Sequence, residues 1–451
     1  MAIPSWLYIS QTAGTSGTTI ITVSAGTNTE DAVKYTPLTV ATEFVNRNVM
    51  IGQKAKLNPK YQYLTIEVIS GGTISWKKSN NSTPSKTVYY SKDGGTTWTS
   101  ITSTSAGTSI NVSAGDIIYW RGNNAQYATS VNNYNQFNLP ATCKCIVYGN
   151  IMSLVDATNF GNSDTLSSGY TFVNLFNNCN GLLESGNLIL PATALSEYCY
   201  YGLFNGCYNV INTPELPATT LTERCYSNLF SNCRSLQTAP ELPATSLAPQ
   251  CYTSMFSQCT GLTEAPELPA TNLSGANACY QSMFWYCTSL TEAPELPATT
   301  LTGNCYYDMF RECTALTTVH TLPSTSLAAD CYYDMFLGCT SLTTVPSNML
   351  PATALTTSCY QSMFRNCSAL QTAPELPAQT LTGNCYMYMF SGCTNLNYIK
   401  CLATSNINVS SSTNRWVAGV QEVSGTFIKA SGIYWPTGSS GIPNNWTVQE
   451  T

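Results

Sequence analysis

Hydrophobic positions follow two different patterns along this 451-residue chain. In the first third they alternate with polar ones, the period of a half-buried strand. "WLYISQTAGTSGTTIITVSAG" alternates on both sides of a Gly-Thr-Ser-Gly turn and predicts two strands. From about Tyr61 the runs "YLTIEVIS", "TISWKK", "TVYYSKDGGTTWTSI" and "DIIYWRG" predict further strands. The pattern then changes. One word recurs nine times, aligned by its last cysteine at Cys179, Cys207, Cys233, Cys259, Cys287, Cys313, Cys339, Cys367 and Cys393. The spacing is 26 residues, or 28 where two are inserted. The first copy departs, with Thr171 and Phe172 where later copies have Cys-Tyr, as terminal repeats often do.

With the first cysteine numbered zero, the constant positions are 0, 1, 4, 5 and 8, as in Cys305, Tyr306, Met309, Phe310 and Cys313. That stripe predicts a short amphipathic helix of about two turns with both cysteines inward. A stretch like "APELPATTLT" follows each copy. The expected architecture is therefore β-rich N-terminal domains, immunoglobulin-like or β-sandwich, followed by an α/β repeat solenoid. The expected divisions are a small β module at 1–41, a β-sandwich at 42–148, the nine repeats at 149–397 and a terminal β cap at 398–451.

Composition narrows the chemistry. Charged residues make up only 9% and the net charge is −6, so no basic stripe for nucleic acid is present. No run of about 20 apolar residues exists, and no membrane insertion is expected. "MAIPSWLYIS" shows neither a basic n-region nor an apolar h-region, so synthesis without a secretory signal is expected, or else a mature end. A single histidine, His320, would have to serve any Ser-His-Asp or Cys-His catalysis. No catalytic, cofactor or metal site is expected, and the chain reads as a non-enzyme.

The 20 cysteines change this picture little. Eight residues of helix rise about 12 Å, whereas a disulfide needs Cα atoms within about 7 Å. A bridge inside one word is thereby excluded if the helix forms. Buried free thiols behave as small hydrophobes, and inert core ladders are the expected role. Inter-repeat disulfides and metal binding are the alternatives. Cys143 and Cys145 point the same way in "TCKCIVY".

Two surface columns are candidates for binding. Glu215, Glu241, Glu267, Glu295 and Glu375 hold one place in five repeats, with Glu264 and Glu292 nearby. Carboxylates about 4.8 Å apart repel by about 0.9 kcal/mol in water. The column either faces solvent and turn amides or receives a cation or basic ligand. Tyr201, Tyr307 and Tyr333 occupy an outer position, suited to sugar or protein contact or to packing between neighbouring helices. Nine units at strand spacing would offer a face about 40 Å long.

The unit "MFRECTALTTVHTLPSTSLAADCYYDMF" resembles the BspA-like class of leucine-rich repeats, with Met309-Phe310, Cys313 and Leu316 in the matching places. The "APELPATTLT" variant looks like the leucine-rich-repeat proteins of Bacteroides and their phages. One departure is that five units carry Pro-Glu-Leu-Pro where most family strands carry Ile before the Pro. "PSWLYISQTAGTSGTTIITVSAG" resembles the start of a BACON domain, a module of Bacteroidota and crAss-like phages, which implies attachment or carbohydrate binding. "SKDGGTTW" fits the Asp-box through Ser91, Asp93, Gly95, Thr97 and Trp98, which implies a structural hairpin turn. Together these resemblances imply a leucine-rich-repeat solenoid and a virion surface protein made in the host cytoplasm, such as a tail or head fibre or receptor-binding protein. Its partners would be other virion proteins, through the N-terminal domains, and a host-surface polysaccharide or protein. It could be a homo-oligomer. The alternative is a secreted bacterial adhesin or glycan-binding protein.

Overall fold

The computed structural model describes Leu7–Thr12, Ile20–Ala25, Lys34–Ala41, Asn46–Gln53 and residues 59–451 apart from 408, 409 and 422. Two compact units divide between Gln62 and Tyr63. In the first, β1 (Leu7–Thr12) pairs antiparallel with β2 (Ile20–Ala25), and β3 (Lys34–Ala41) with β4 (Asn46–Gln53). The Gly-Thr-Ser-Gly turn at 14–17 lies outside the described residues.

The second unit opens with two sheets. Their strands are β5 (Leu64–Val68), β6 (Gly72–Lys78), β7 (Thr87–Ser91), β8 (Thr99–Thr102), β9 (Thr108–Val112), β10 (Ile117–Arg121), β11 (Ala128–Ser130), β12 (Asn133–Asn138) and β13 (Cys145–Asn150). One sheet runs β13-β5-β10-β7-β8 and the other β11-β12-β6-β9. Trp120 of the first and Phe137 of the second meet at 4.8 Å in a core with Trp76, Ile66 and Ile118. The Asp-box is the β7–β8 turn. Both oxygens of Asp93 accept the Thr97 N–H, at 2.9 and 3.1 Å, and its Oδ2 also takes the Thr97 hydroxyl at 2.6 Å. The Thr97 hydroxyl and amide together hold the Asp93 carboxyl down at about 2.

The repeats do not form the expected helices, and the α/β leucine-rich-repeat solenoid is overturned. Among the described residues the only helices are short 3-10 segments at Pro59–Tyr61, Ile151–Leu154 and Phe160–Asn162. Each repeated word is instead a chain of tight turns. Positions −1, 3 and 7 have positive φ, as at Asn304 (56°), Asp308 (56°) and Glu312 (59°), and the same places recur in every copy. A left-handed residue every four positions forbids continuous α-helix. The N–H groups of positions 0, 2, 4, 6 and 8 close turns onto carbonyls three residues back, as Cys313 does on Phe310 at 3.1 Å. Those of positions 1, 3, 5 and 7 reach into the next repeat instead. Tyr306 donates to Cys331 O, Asp308 to Tyr333 O, Phe310 to Met335 O and Glu312 to Leu337 O, at 2.7–3.0 Å. Every main-chain donor of the word is thus satisfied, four of the nine only by a neighbouring copy.

The proline-rich stretches explain why no continuous parallel sheet forms opposite this wall. In "APELP" the two prolines lack N–H groups, so a ladder there is interrupted. What survives are isolated parallel bridges such as Glu292↔Thr318 and Thr300↔Ser326. Full strands return only at the ends. At the start, β13 pairs in parallel with β14 (Leu182–Glu184) and β15 (Leu188–Ile189). At the end, β16 (Tyr398–Cys401), β17 (Thr426–Lys429) and β18 (Thr447–Glu450) form a parallel sheet.

Stacking puts the constant positions into columns. The position-5 phenylalanines lie with centroids 5.5–5.8 Å apart from Phe176 to Phe390, their rings within 10° of parallel. A second column joins Phe172 and Tyr200 to Tyr386. Both columns continue into the sheets, where Phe137 stacks on Phe176 and Tyr127 on Phe172. At the other end Trp416 stacks beneath Tyr386 and lies tilted against Phe390.

All twenty cysteines are buried and free. The position-8 thiols each donate to the Phe carbonyl of the preceding layer, as Cys313 does to Phe284 O and Cys339 to Phe310 O, both at 3.1 Å. Burial pushes the Cys313 and Cys259 thiols up to about 12, so little nucleophilic thiolate forms at neutral pH. Thiol titration of the native protein is therefore expected to find almost no reactive groups, and of the denatured, unreduced protein all twenty. Recovery of far fewer after denaturation would show that the columns are cross-linked.

Candidate functional site

Burial alternates along the Glu-Leu pair of each Pro-Glu-Leu-Pro stretch. Leu268 and Leu296 turn into the core at 3% and 5% exposure, and Glu267 and Glu295 turn outward. Glu215, Glu241 and Glu375 are exposed in the same way. Because the flanking prolines have no N–H, they give these carboxylates no backbone donor. Among the described residues the Glu215, Glu241, Glu267 and Glu295 side chains make no ion pair, whereas Glu375 meets Lys400 at 3.0 Å.

Three successive repeats shape this face into an open groove of about 660 Å³. Its walls are the prolines of two Pro-Glu-Leu-Pro stretches. Four carboxylates line it, Glu264, Glu267, Glu292 and Glu295, with His320 at one edge. His320 Nε2 lies 3.3 Å from Glu292 Oε1. The groove therefore combines stiff apolar walls with exposed acceptors, which suits a ligand bearing amino, guanidinium or hydroxyl donors. Among the described residues no cluster of three or more His, Cys, Asp or Glu could hold a metal ion.

Of the residues singled out in the sequence, Glu267 and Glu295 come together here, joined by Glu264, Glu292 and His320. Glu215, Glu241 and Glu375 hold the same place in other repeats and do not line the groove. Tyr201, Tyr307 and Tyr333 belong to the turn-built wall and are half-buried. Tyr307 and Tyr333 stack on one another at 4.7 Å with planes 7° apart. The Tyr333 hydroxyl accepts from Gln361 Nε2 at 3.1 Å. These two rings cover one another, so the pair is poorly suited to stacking on a sugar. Tyr201 lies 6.0 Å from Tyr198. Sequence reasoning missed a charged cluster beside this pair, made by Asp308, Arg311 and Asp334. Its signal was an aspartate at position 3 in two consecutive repeats.

No family model, curated protein or solved structure matches this chain. Among the described residues no helix is long and apolar enough to cross a membrane.

Proposed function

We propose that the protein is a non-enzymatic recognition protein of a virion surface, a tail or head fibre or receptor-binding protein of a Bacteroides phage. It engages a host-surface polysaccharide or protein through the proline-walled acidic face. The observation that carries this reading is the groove at Glu264, Glu267, Glu292 and Glu295, where rigid walls hold four exposed carboxylates toward solvent. The likeness of the repeat words to those of Bacteroides and phage proteins supports the setting. Hydrogen bonds to charged groups contribute about 1.5–3 kcal/mol each when well placed.

Replacing the four groove glutamates with glutamine is expected to weaken binding to host cells by at least about tenfold, the equivalent of about 1.4 kcal/mol. The side chains are exposed, so thermal stability should change little. Pull-down on host cells, with and without the substitutions, reads the first effect. Copurification with virions reads the setting. Unchanged cell binding would remove the groove from the function, and absence from purified virions would remove the virion.

A further inference from the structure

On the turn-built wall, the position-3 residues of the sixth and seventh repeats are both aspartates in left-handed backbone, Asp308 and Asp334. One guanidinium serves both. Arg311 Nη1 lies 3.2 Å from Asp308 Oδ1 and 3.3 Å from Asp334 Oδ2. The Asp334 side chain is nine-tenths buried, and its Oδ1 has no hydrogen-bond partner, nor has Arg311 Nε. Two carboxylates thus compete for one partly exposed cation, and Asp334, the more buried of the two, keeps an oxygen unpaired, which favours its protonated form.

We propose that Asp308, Arg311 and Asp334 form a proton-operated latch between the sixth and seventh repeats, closed when Asp334 is protonated and loosened when it is ionised. Burial and Asp308 act to raise Asp334 and outweigh Arg311, Ser362 and Arg365, which act the other way. From the sixth repeat Tyr307 also faces this place, and Glu312 acts on Arg311. From the seventh come Asp330 and Tyr333, and from the eighth Arg365 and Ser362. Only Arg365 adds positive charge, and it also packs over the Tyr388 ring at 5.1 Å. Burial, and then the neighbouring Asp308, push Asp334 up to about 6 from an ordinary value of 3.8. Burial likewise raises Asp308 and Asp330. A carboxyl raised on folding stabilises the fold fully below its unfolded value. That contribution is lost as the pH rises through the folded value. The latch therefore tightens on acidification from pH 7.5 to 5.

Hydrogen exchange tests this at the amides of Asp308 and Asp334, which donate across repeats to Tyr333 O and Gln361 O. Corrected for intrinsic rate, their protection is expected to fall about tenfold between pH 5 and pH 7.5, one pKa unit being tenfold. The substitution Asp334→Asn keeps a side chain that tolerates left-handed backbone. It should abolish this dependence and hold protection at pH 7.5 near the pH 5 level of the unaltered protein. Asp308→Asn should reduce the dependence. The amides of Asn228 and Ser254, which bridge earlier repeats in the same way, serve as internal controls and should show none of it. A full pH dependence surviving in Asp334→Asn, or an equal one at the control amides, would overturn the latch.

Discussion

Replacing Phe310 with alanine is expected to cost about 3–5 kcal/mol, the range for buried aromatic truncation. Phe310 is fully buried, and its ring lies 5.5 Å from both Phe284 and Phe336. Its backbone donates to Met335 O at 2.9 Å, and its carbonyl accepts the Cys339 thiol at 3.1 Å. Truncation leaves a gap in a column that cannot close, because its spacing is set by hydrogen bonds on both sides. The stability of stacked repeats is roughly a sum of unit and neighbour contributions, so the fifth and seventh repeats lose contacts too. Chemical denaturation of the substituted and unaltered proteins measures the difference. A midpoint unchanged within error would mean that the ring does not support the stack.

Gly181→Ala should destabilise by about 3 kcal/mol or more, the upper end for overpacking. The glycine sits where the sheets hand over to the first repeat. Its N–H donates to Leu139 O and its carbonyl accepts from Cys145 N, both at 2.8 Å. A Cβ there would stand 2.1 Å from Cys143 O and 2.4 Å from Pro140 O. Both obstacles are backbone and cannot swing aside as a side chain would. Relief requires β13 and β14 to part, which uncouples the sheets from the stack. Calorimetry should then show a lowered or divided transition. Gly303→Ala is the matched control, since its nearest neighbour to a new Cβ is Ala329 O at 3.7 Å and its φ is unexceptional. Equal effects from the two substitutions would mean that the joint at Gly181 is not tight.

The repeat itself was plain in the sequence, and so was which side of it faces inward. Positions 0, 1, 4, 5 and 8 are buried in copy after copy, as Cys305, Tyr306, Met309, Phe310 and Cys313 show. What those positions could not decide was the backbone path. A stripe at 0, 1, 4, 5 and 8 fits a period of 4 as well as 3.6, since over two turns the two differ by less than one residue. The run of Asn, Asp, Ser, Gln and Gly at positions −1, 3 and 7 was a hint, because several of these types enter left-handed backbone most readily. Tyr286 and Arg224 do the same against their own preference, at 61° and 51°. The neighbours hold them there. Tyr286 N donates to Arg311 O at 2.8 Å and Arg224 N to Pro249 O at 3.1 Å.

Other outcomes divide in the same way. Alternating apolar runs such as the one at Leu64–Val68 announce a strand through their own side chains. β12, "NYNQFN", does not, because its role is to be the layer beneath the first repeat, where Phe137 N bonds to Leu175 O at 2.8 Å. The glutamate column was readable as a column. That Glu264, Glu267, Glu292, Glu295 and His320 share one groove depended on how three repeats stack. The sequence by itself determined which residues are inside, which are outside and how often the unit recurs, because burial follows side-chain chemistry. Tertiary structure alone decided the turn-built backbone, the groove and the shared Arg311. Four of the word's nine main-chain hydrogen bonds have their partner 25 to 27 residues away, and no local pattern encodes a partner at that distance.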